Sequence, residues 1–196
     1  MNRFLKYWRL QEKGKQWRAQ VVAYADDFVI LSRGNAAEAR KWTQQVMSGI
    51  GLTLNEQKTS IRDARTEEFD FLGYTFGRRY LARNGRSYMA ARPSKKSIQR
   101  LTGKVYDLLR PGEKGKWSEV RDRLNARLRG WEQYFNHGTI ARAYQIVNGY
   151  VERRVRHFLR RRHKHSTLGT HRFPSQDIFG KLGVYRMARR GPACAS

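Results

Sequence analysis

The sequence is poor in cysteine, poor in carboxylates and without any long apolar run. Its single cysteine, Cys194, excludes an intrachain disulfide and any zinc site built on cysteine pairs. No stretch approaches the roughly 20 apolar residues that a bilayer span requires. Met1 to Gln20 is charged throughout and has no apolar run leading to small residues, so no signal peptide is expected. The expected location is therefore the cytoplasm, with no membrane partner. Of the five histidines, four lie between His157 and His171. Their spacing matches no metal-ligand pattern, and they read as polar or phosphate-contacting groups. Only 16 Asp and Glu stand against 41 Lys and Arg, for a net charge of +25.

Self-repulsion on that scale opposes compactness unless a polyanion neutralises it. Nucleic acid is the usual polyanion, and the 9 Phe, 10 Tyr and 5 Trp interleaved with the cations offer rings on which bases stack. An anionic membrane surface would instead call for a helix with a broad, unbroken apolar face. The charge is uneven: residues 1–90 carry net +7 and residues 91–196 net +18. The second half is the stronger candidate for a phosphate-tracking surface.

Residues 3–10 read as a helix with Phe4, Leu5, Tyr7 and Trp8 on one side, broken by Gly14. Gln20–Tyr24 and Phe28–Leu31 are apolar runs around an acidic pair, the pattern of a β-hairpin. Asn35, with Glu38 three residues on, predicts a capped helix with stripe Ala39, Trp42, Val46 and Ile50, ended by Gly49 and Gly51. Leu52–Leu54 reads as a short strand and Phe69–Phe76 as an aromatic one. Asn84-Gly85 is the strongest turn signal in the chain. After Pro93 the pattern becomes helical. Ser94 caps a stripe of Ile98, Leu101, Val105 and Leu108, stopped at Arg110-Pro111-Gly112. Ser118 is expected to cap Val120, Leu124, Leu128, Trp131 and Phe135. A third stripe runs Tyr144, Val147, Val151, Val155 and Phe158. Residues 166–196 are Gly-rich, basic and weakly periodic.

Tyr24-Ala25-Asp26-Asp27 carries the chemistry. Adjacent carboxylates on a tight hairpin hold negative charge at a fixed point, as magnesium in a nucleotidyl-transfer centre requires. An Asp-Asp pair also serves ordinary turns, but apolar strands on both sides favour the metal-site reading. The run Val22–Leu31 resembles the catalytic-hairpin block of group II intron reverse transcriptases. Gly51-Leu52-Thr53-Leu54-Asn55-Glu56-Gln57-Lys58-Thr59 resembles the block that follows, and Phe69–Phe76 resembles the primer-grip block. Arg92-Pro93-Ser94 and Leu128–Phe135 look like the family's thumb and maturase region. Asn2–Leu5 resembles the helix before the catalytic hairpin.

The resemblance implies that Asp26 and Asp27 are metal ligands for Mg2+ and that Tyr24 and Ala25 lie beside the incoming nucleotide. Lys58 would protonate the pyrophosphate leaving group; its plainer reading is a solvated turn lysine. Leu72, Gly73 and Tyr74 would position the primer end, with Gly73 letting a backbone pass close; a strand bulge is the other reading. One departure stands out. Only 25 residues precede Asp26, which leaves no room for the family's third carboxylate or its fingers region. The expectation is a chain that does not polymerise alone. The family's DNA-binding and endonuclease extension is also expected to be absent.

Arg92, Lys95, Lys96, Arg100, Lys104, Arg129, Arg153, Arg156, Arg160, Arg161, Arg162 and Lys164 are the candidate RNA contacts. Arg pairs bidentately with phosphate, and only Glu152 interrupts the cationic run from Arg142 to Lys164. Trp131 and Phe135 fall at core spacing rather than as base-stacking rings. Gly130, which costs about 1 kcal/mol against Ala within a helix, suggests a close helix contact.

The expected fold is α+β. A partial reverse transcriptase palm over residues 1–90 (catalytic hairpin, one helix, small antiparallel sheet) precedes a helical thumb/maturase bundle over 91–165 and a basic tail over 166–196. The expected function is the C-terminal part of an RNA-directed DNA polymerase and maturase of a group II intron retroelement. It would bind intron RNA for splicing, engage an RNA template and DNA primer, and require an upstream reverse transcriptase fragment. The alternative is a non-catalytic RNA-binding splicing cofactor with a vestigial palm.

Overall fold

The computed structural model describes residues 1–164 and 171–188. The fold is α+β, with small antiparallel sheets among helices, and it divides into two compact units, 1–72 and 73–196. No helix among the described residues is long and apolar enough to cross a membrane.

The first unit contains α1 (Asn2–Leu10), α2 (Lys13–Gln16), β1 (Ala19–Tyr24), β2 (Asp27–Ser32), α3 (Ala36–Gly49) and β3 (Phe69–Phe71). Strands β1 and β2 pair antiparallel from Ala19↔Ser32 to Tyr24↔Asp27. Their inward residues Val21, Phe28 and Ile30 pack against a core of Phe4, Trp8, Trp17, Ala39 and Met47. Trp8, Trp17 and Trp42 form a triangle with ring centres 5.7–5.8 Å apart, and Phe4 meets Phe28 at 5.3 Å. Each such ring pair contributes about 0.5–1.5 kcal/mol beyond burial. That matters where three of the five buried core residues are aromatic.

Three local expectations change here. Gly14 does not end a helix; it lies within α2, where a Cβ would stand 3.0 Å from the Ala19 carbonyl and 3.4 Å from Trp8 Nε1. Asn35 occupies the N-cap position of α3 without capping it. Its amide Nδ2 donates to the Trp17 carbonyl (3.5 Å) and its own N–H donates to Ser32 Oγ (3.2 Å), which tie the helix start to the strands instead. Residues 52–54 are irregular rather than a strand: the Leu52 N–H donates to the Met47 carbonyl at 2.9 Å and rounds off α3.

The Phe69–Phe76 run is also not continuous. It breaks at Leu72 and Gly73, both in the left-handed region (φ +50° and +77°). In the second unit, β4 (Tyr74–Tyr80) pairs antiparallel with β5 (Ser87–Pro93). The loop between them closes as Asn84-Gly85 predicts, with Gly85 at φ +65° and its N–H donating to the Leu81 carbonyl at 2.8 Å.

Helices α4 (Lys95–Leu108), α5 (Trp117–Tyr134) and α6 (Ala141–Arg162) follow, then the short α7 (Ser175–Phe179). The predicted stripes are the core: Leu101, Val105 and Leu108 from α4, Val120, Leu124 and Leu128 from α5, and Tyr144, Val147, Val151, Val155 and Phe158 from α6. Ser94 caps α4 by accepting from the Ser97 N–H (3.1 Å). Ser118 does not cap α5, which begins one residue earlier with Lys116 at the N-cap. Phe135 is buried and Trp131 half-buried against Tyr144, the core placement expected of them. Gly130 makes no close helix contact: a Cβ there would find nothing within 4 Å. Gly138 is the reverse case. At φ +79°, its would-be Cβ lies 2.1 Å from the Ala91 carbonyl oxygen, to which the Thr139 N–H donates at 2.7 Å.

The segment expected as a tail contributes to the core where it is described. Ile178, Val184 and Met187 are buried in the helical bundle. Asn125 holds the strap at both polarities, donating to the Gly183 carbonyl (2.8 Å) and accepting from the Tyr185 N–H (2.7 Å). Asn148 does the same with the backbone of Met187. Buried Glu132 accepts from the Tyr185 hydroxyl and, at 3.0 Å, from the Ala188 N–H. Among buried side-chain nitrogens of the described residues, Trp131 Nε1 and Arg154 Nε have no hydrogen-bond partner.

Candidate nucleic-acid interface

The hairpin in the first unit turns in two residues, Ala25 and Asp26, because Tyr24 already pairs with Asp27. Ala25 is left-handed at φ +50°, a conformation that costs an L-residue roughly 1–2 kcal/mol. Tyr24, Ala25, Asp26 and Asp27 are all exposed at the tip. Period-two alternation puts Val21 and Ala23 toward the core and Val22 and Tyr24 toward solvent, so the ring and the carboxylates stand on a scaffold fixed from below.

A concave surface of about 1470 Å³ in the first unit is lined by Asp26, Asp27 and Lys58, together with Arg18, Arg40 and Arg62. The sequence places Lys58 31 residues after Asp27; the fold brings the three onto one cavity. The lysine's turn is set by Asn55, whose carbonyl and Oδ1 accept from the Lys58 N–H at 3.0 and 3.2 Å. Nearby, Arg65 donates to Asp63 from its side chain and its backbone, and holds that carboxyl down to about 2. Tyr24 and Ala25 do not line the cavity.

No group of three or more His, Cys, Asp or Glu side chains that could hold a metal ion occurs among the described residues. Asp26 and Asp27 are therefore an adjacent pair and not part of a larger metal-holding cluster among the described residues.

Gly73 and Tyr74 fall in the second unit, where their surroundings are protein. A Cβ on Gly73 would meet Phe135 Cζ at 3.1 Å. The Tyr74 ring packs 4.9 Å from that of Phe135, and its hydroxyl donates to the Tyr134 carbonyl (2.9 Å). Burial pushes the Tyr74 phenol up, against the lowering effect of a backbone hydrogen bond near His137.

The predicted RNA contacts fall into two groups. Lys95, Lys96, Arg100 and Lys104 are exposed on α4, whose Leu101/Val105/Leu108 stripe is buried, and Lys96, Arg100 and Lys104 stand one turn apart in a row along one flank. Arg153, Arg161 and Lys164 are also exposed, and Arg129 is exposed with its guanidinium 4.9 Å from the Tyr185 ring. Others hold the fold as well. Arg156 pairs with Glu152, and its Nε donates to the Phe173 carbonyl (3.0 Å). Arg162 donates to the Gly115 carbonyl (2.7 Å). Arg92 and Arg160 are half-buried. Arg154 was not singled out by sequence; it donates to the Leu109 carbonyl (3.2 Å) and lies 4.4 Å from the Tyr106 ring. Burial, then Arg161, Arg160 and Arg154, pushes His157 below its ordinary value.

An exposed carboxylate hairpin and a core-backed cationic helix face occur here in one chain. Residues 1–76 match the family model for reverse transcriptase (RNA-dependent DNA polymerase). Residues 98–174 match the group II intron, maturase-specific domain. The chain belongs to the group II intron reverse transcriptase/maturases. No curated protein matches it closely enough to count as a relative. The reverse transcriptase family implies a divalent metal, and the maturase domain implies intron RNA as partner.

Proposed function

We propose that this chain binds structured intron RNA through the cationic faces of its helices and carries the Asp26–Asp27 hairpin as part of a reverse transcriptase centre. In this reading residues 1–90 serve as partial palm and residues 91–165 as thumb and maturase surface. Lys58 faces the leaving group, Tyr24 and Ala25 the nucleotide, and Leu72, Gly73 and Tyr74 support the primer end. The observation that carries RNA binding is the exposed row Lys96, Arg100, Lys104 along one flank of a helix whose Leu101/Val105/Leu108 stripe is locked into the core. Such a row is held in place by the packing of its helix and stands open to solvent. It suits phosphates and helix shape more than base identity.

The test is binding of a structured intron RNA across a salt series. Combining Lys96→Ala, Arg100→Ala and Lys104→Ala should weaken binding and lower the salt slope by about 2–3. Unchanged affinity and slope would reject the reading.

The incomplete donor set bears on catalysis. Because no group of three or more acidic, histidine or cysteine side chains that could hold a metal ion occurs among the described residues, polymerisation is assigned to an assembly that includes an upstream reverse transcriptase fragment. Vigorous primer extension by the purified chain with magnesium would contradict this. The same observation favours a second reading, a splicing cofactor whose palm is vestigial. Asp26→Asn with Asp27→Asn separates the two: loss of cDNA synthesis in a reconstituted assembly supports the first, and splicing assistance with no cDNA from the parent assembly supports the second.

A further inference from the structure

We propose that the β4–β5 hairpin is a second nucleic-acid site, specific for single strands, distinct from the helical face and resting on no part of the reading above. From Phe71 to Tyr106 the chain has nine Lys and Arg and no carboxylate. Four of those cations, Arg78, Arg79, Arg83 and Arg86, sit on the outer half of this one hairpin, where every residue from Arg78 to Met89 is exposed. Large apolar side chains there face solvent too: Tyr80 is 65% exposed, Met89 51% and Tyr88 39%.

Strand register decides what this surface can bind. Arg79 pairs with Tyr88, and Arg78 with Met89. Successive side chains alternate between faces, so Arg78, Tyr80 and Met89 share one face while Arg79 and Tyr88 share the other. On the first face, the Arg78 guanidinium lies 5.6 Å from the Tyr80 ring and is steadied by donating to Ser87 Oγ at 2.8 Å. One side of the ring is thus backed by a cation, and the other can take a base. An exposed tyrosine next to an arginine on each face of a ribbon makes stacking platforms with phosphate partners alongside. An RNA duplex is the wrong ligand for it. The deep, narrow major groove of A-form RNA excludes a ribbon of this kind, and paired bases cannot unstack onto the rings. Four arginines in a stretch of chain without a carboxylate suit a phosphate backbone, and the exposed rings favour an unpaired stretch of RNA or DNA.

The experiment uses the full chain and two probes, a short fluorescein-labelled oligouridine and a perfect RNA duplex. Both tyrosines are exposed, so Tyr80→Ala with Tyr88→Ala should leave the thermal midpoint unchanged. Oligouridine affinity should fall at least about five-fold, duplex affinity should not change, and Tyr80→Phe with Tyr88→Phe should bind like the parent. Parental oligouridine binding by the alanine variant would overturn the proposal, as would an equal loss for both probes or a phenylalanine variant as weak as alanine. The row on α4 fails separately, since its variants are read on structured intron RNA.

Discussion

Two glycines eight residues apart should respond oppositely to the same methyl group. At Gly138 the backbone is left-handed (φ +79°) and a Cβ would fall 2.1 Å from the Ala91 carbonyl oxygen. No relaxed side chain tolerates that distance, so Gly138→Ala must displace the loop and break the Thr139 N–H donation to the same carbonyl (2.7 Å). The left-handed backbone costs roughly 1–2 kcal/mol for an L-residue, and the lost hydrogen bond a further ~1 kcal/mol. The sum is a destabilisation of about 2–3 kcal/mol. At Gly130, in the interior of α5, the same methyl meets nothing within 4 Å. Gly130→Ala should therefore stabilise by up to about 1 kcal/mol, through lower backbone entropy in the unfolded chain. Urea unfolding read by hydrogen exchange of α5 and α6 amides isolates the second unit. If Gly138→Ala stays within about 0.5 kcal/mol of the parent, or Gly130→Ala destabilises, the packing argument for this loop fails.

Glu132→Ala should leave the Tyr185 hydroxyl and the Ala188 N–H without their acceptor and cost about 2–3 kcal/mol; faster proteolysis of residues 183–188 is the readout. His157 has a folded value below its ordinary 6.5, so as pH falls the unfolded chain takes up the proton first. Its contribution to stability is present above that value and lost below it, and His157→Gln should flatten the decline in thermal midpoint measured over the acidic side of neutrality. Ala25→Gly should relieve the left-handed strain at the hairpin tip, raising the stability of the first unit by about 1 kcal/mol in tryptophan-fluorescence melts.

The helical half was legible because its signal is local. Stripes such as Val147, Val151, Val155 and Phe158 recur at helical period, and an apolar stripe can be buried in only one way. The Ser94 cap and the Asn84-Gly85 turn were readable for the same reason: both act within a few residues. Asn35 and Ser118 show the limit. Each has the right chemistry near a helix start, but Asn35 is drawn to the Trp17 carbonyl and α5 begins a residue before Ser118. Gly130 and Gly138 look alike in sequence, and only neighbouring atoms distinguish an open helix surface from contact with a carbonyl.

For the candidate site, the chain alone determined the acidic pair between two apolar strands, the family resemblance and the excess of cations, since composition and short-range pattern carry all three. Tertiary structure decided what those residues meet. It brought Lys58 to the cavity lined by Asp26 and Asp27, and closed Phe135 over Gly73. It also drew Arg156 into binding the Phe173 carbonyl and turned a segment that reads as a basic tail into a strap pinned by Asn125, Glu132 and Asn148. Each of those contacts joins residues far apart along the chain, where no periodicity reports distance and only the packed arrangement of helices and strands sets which polar groups find each other.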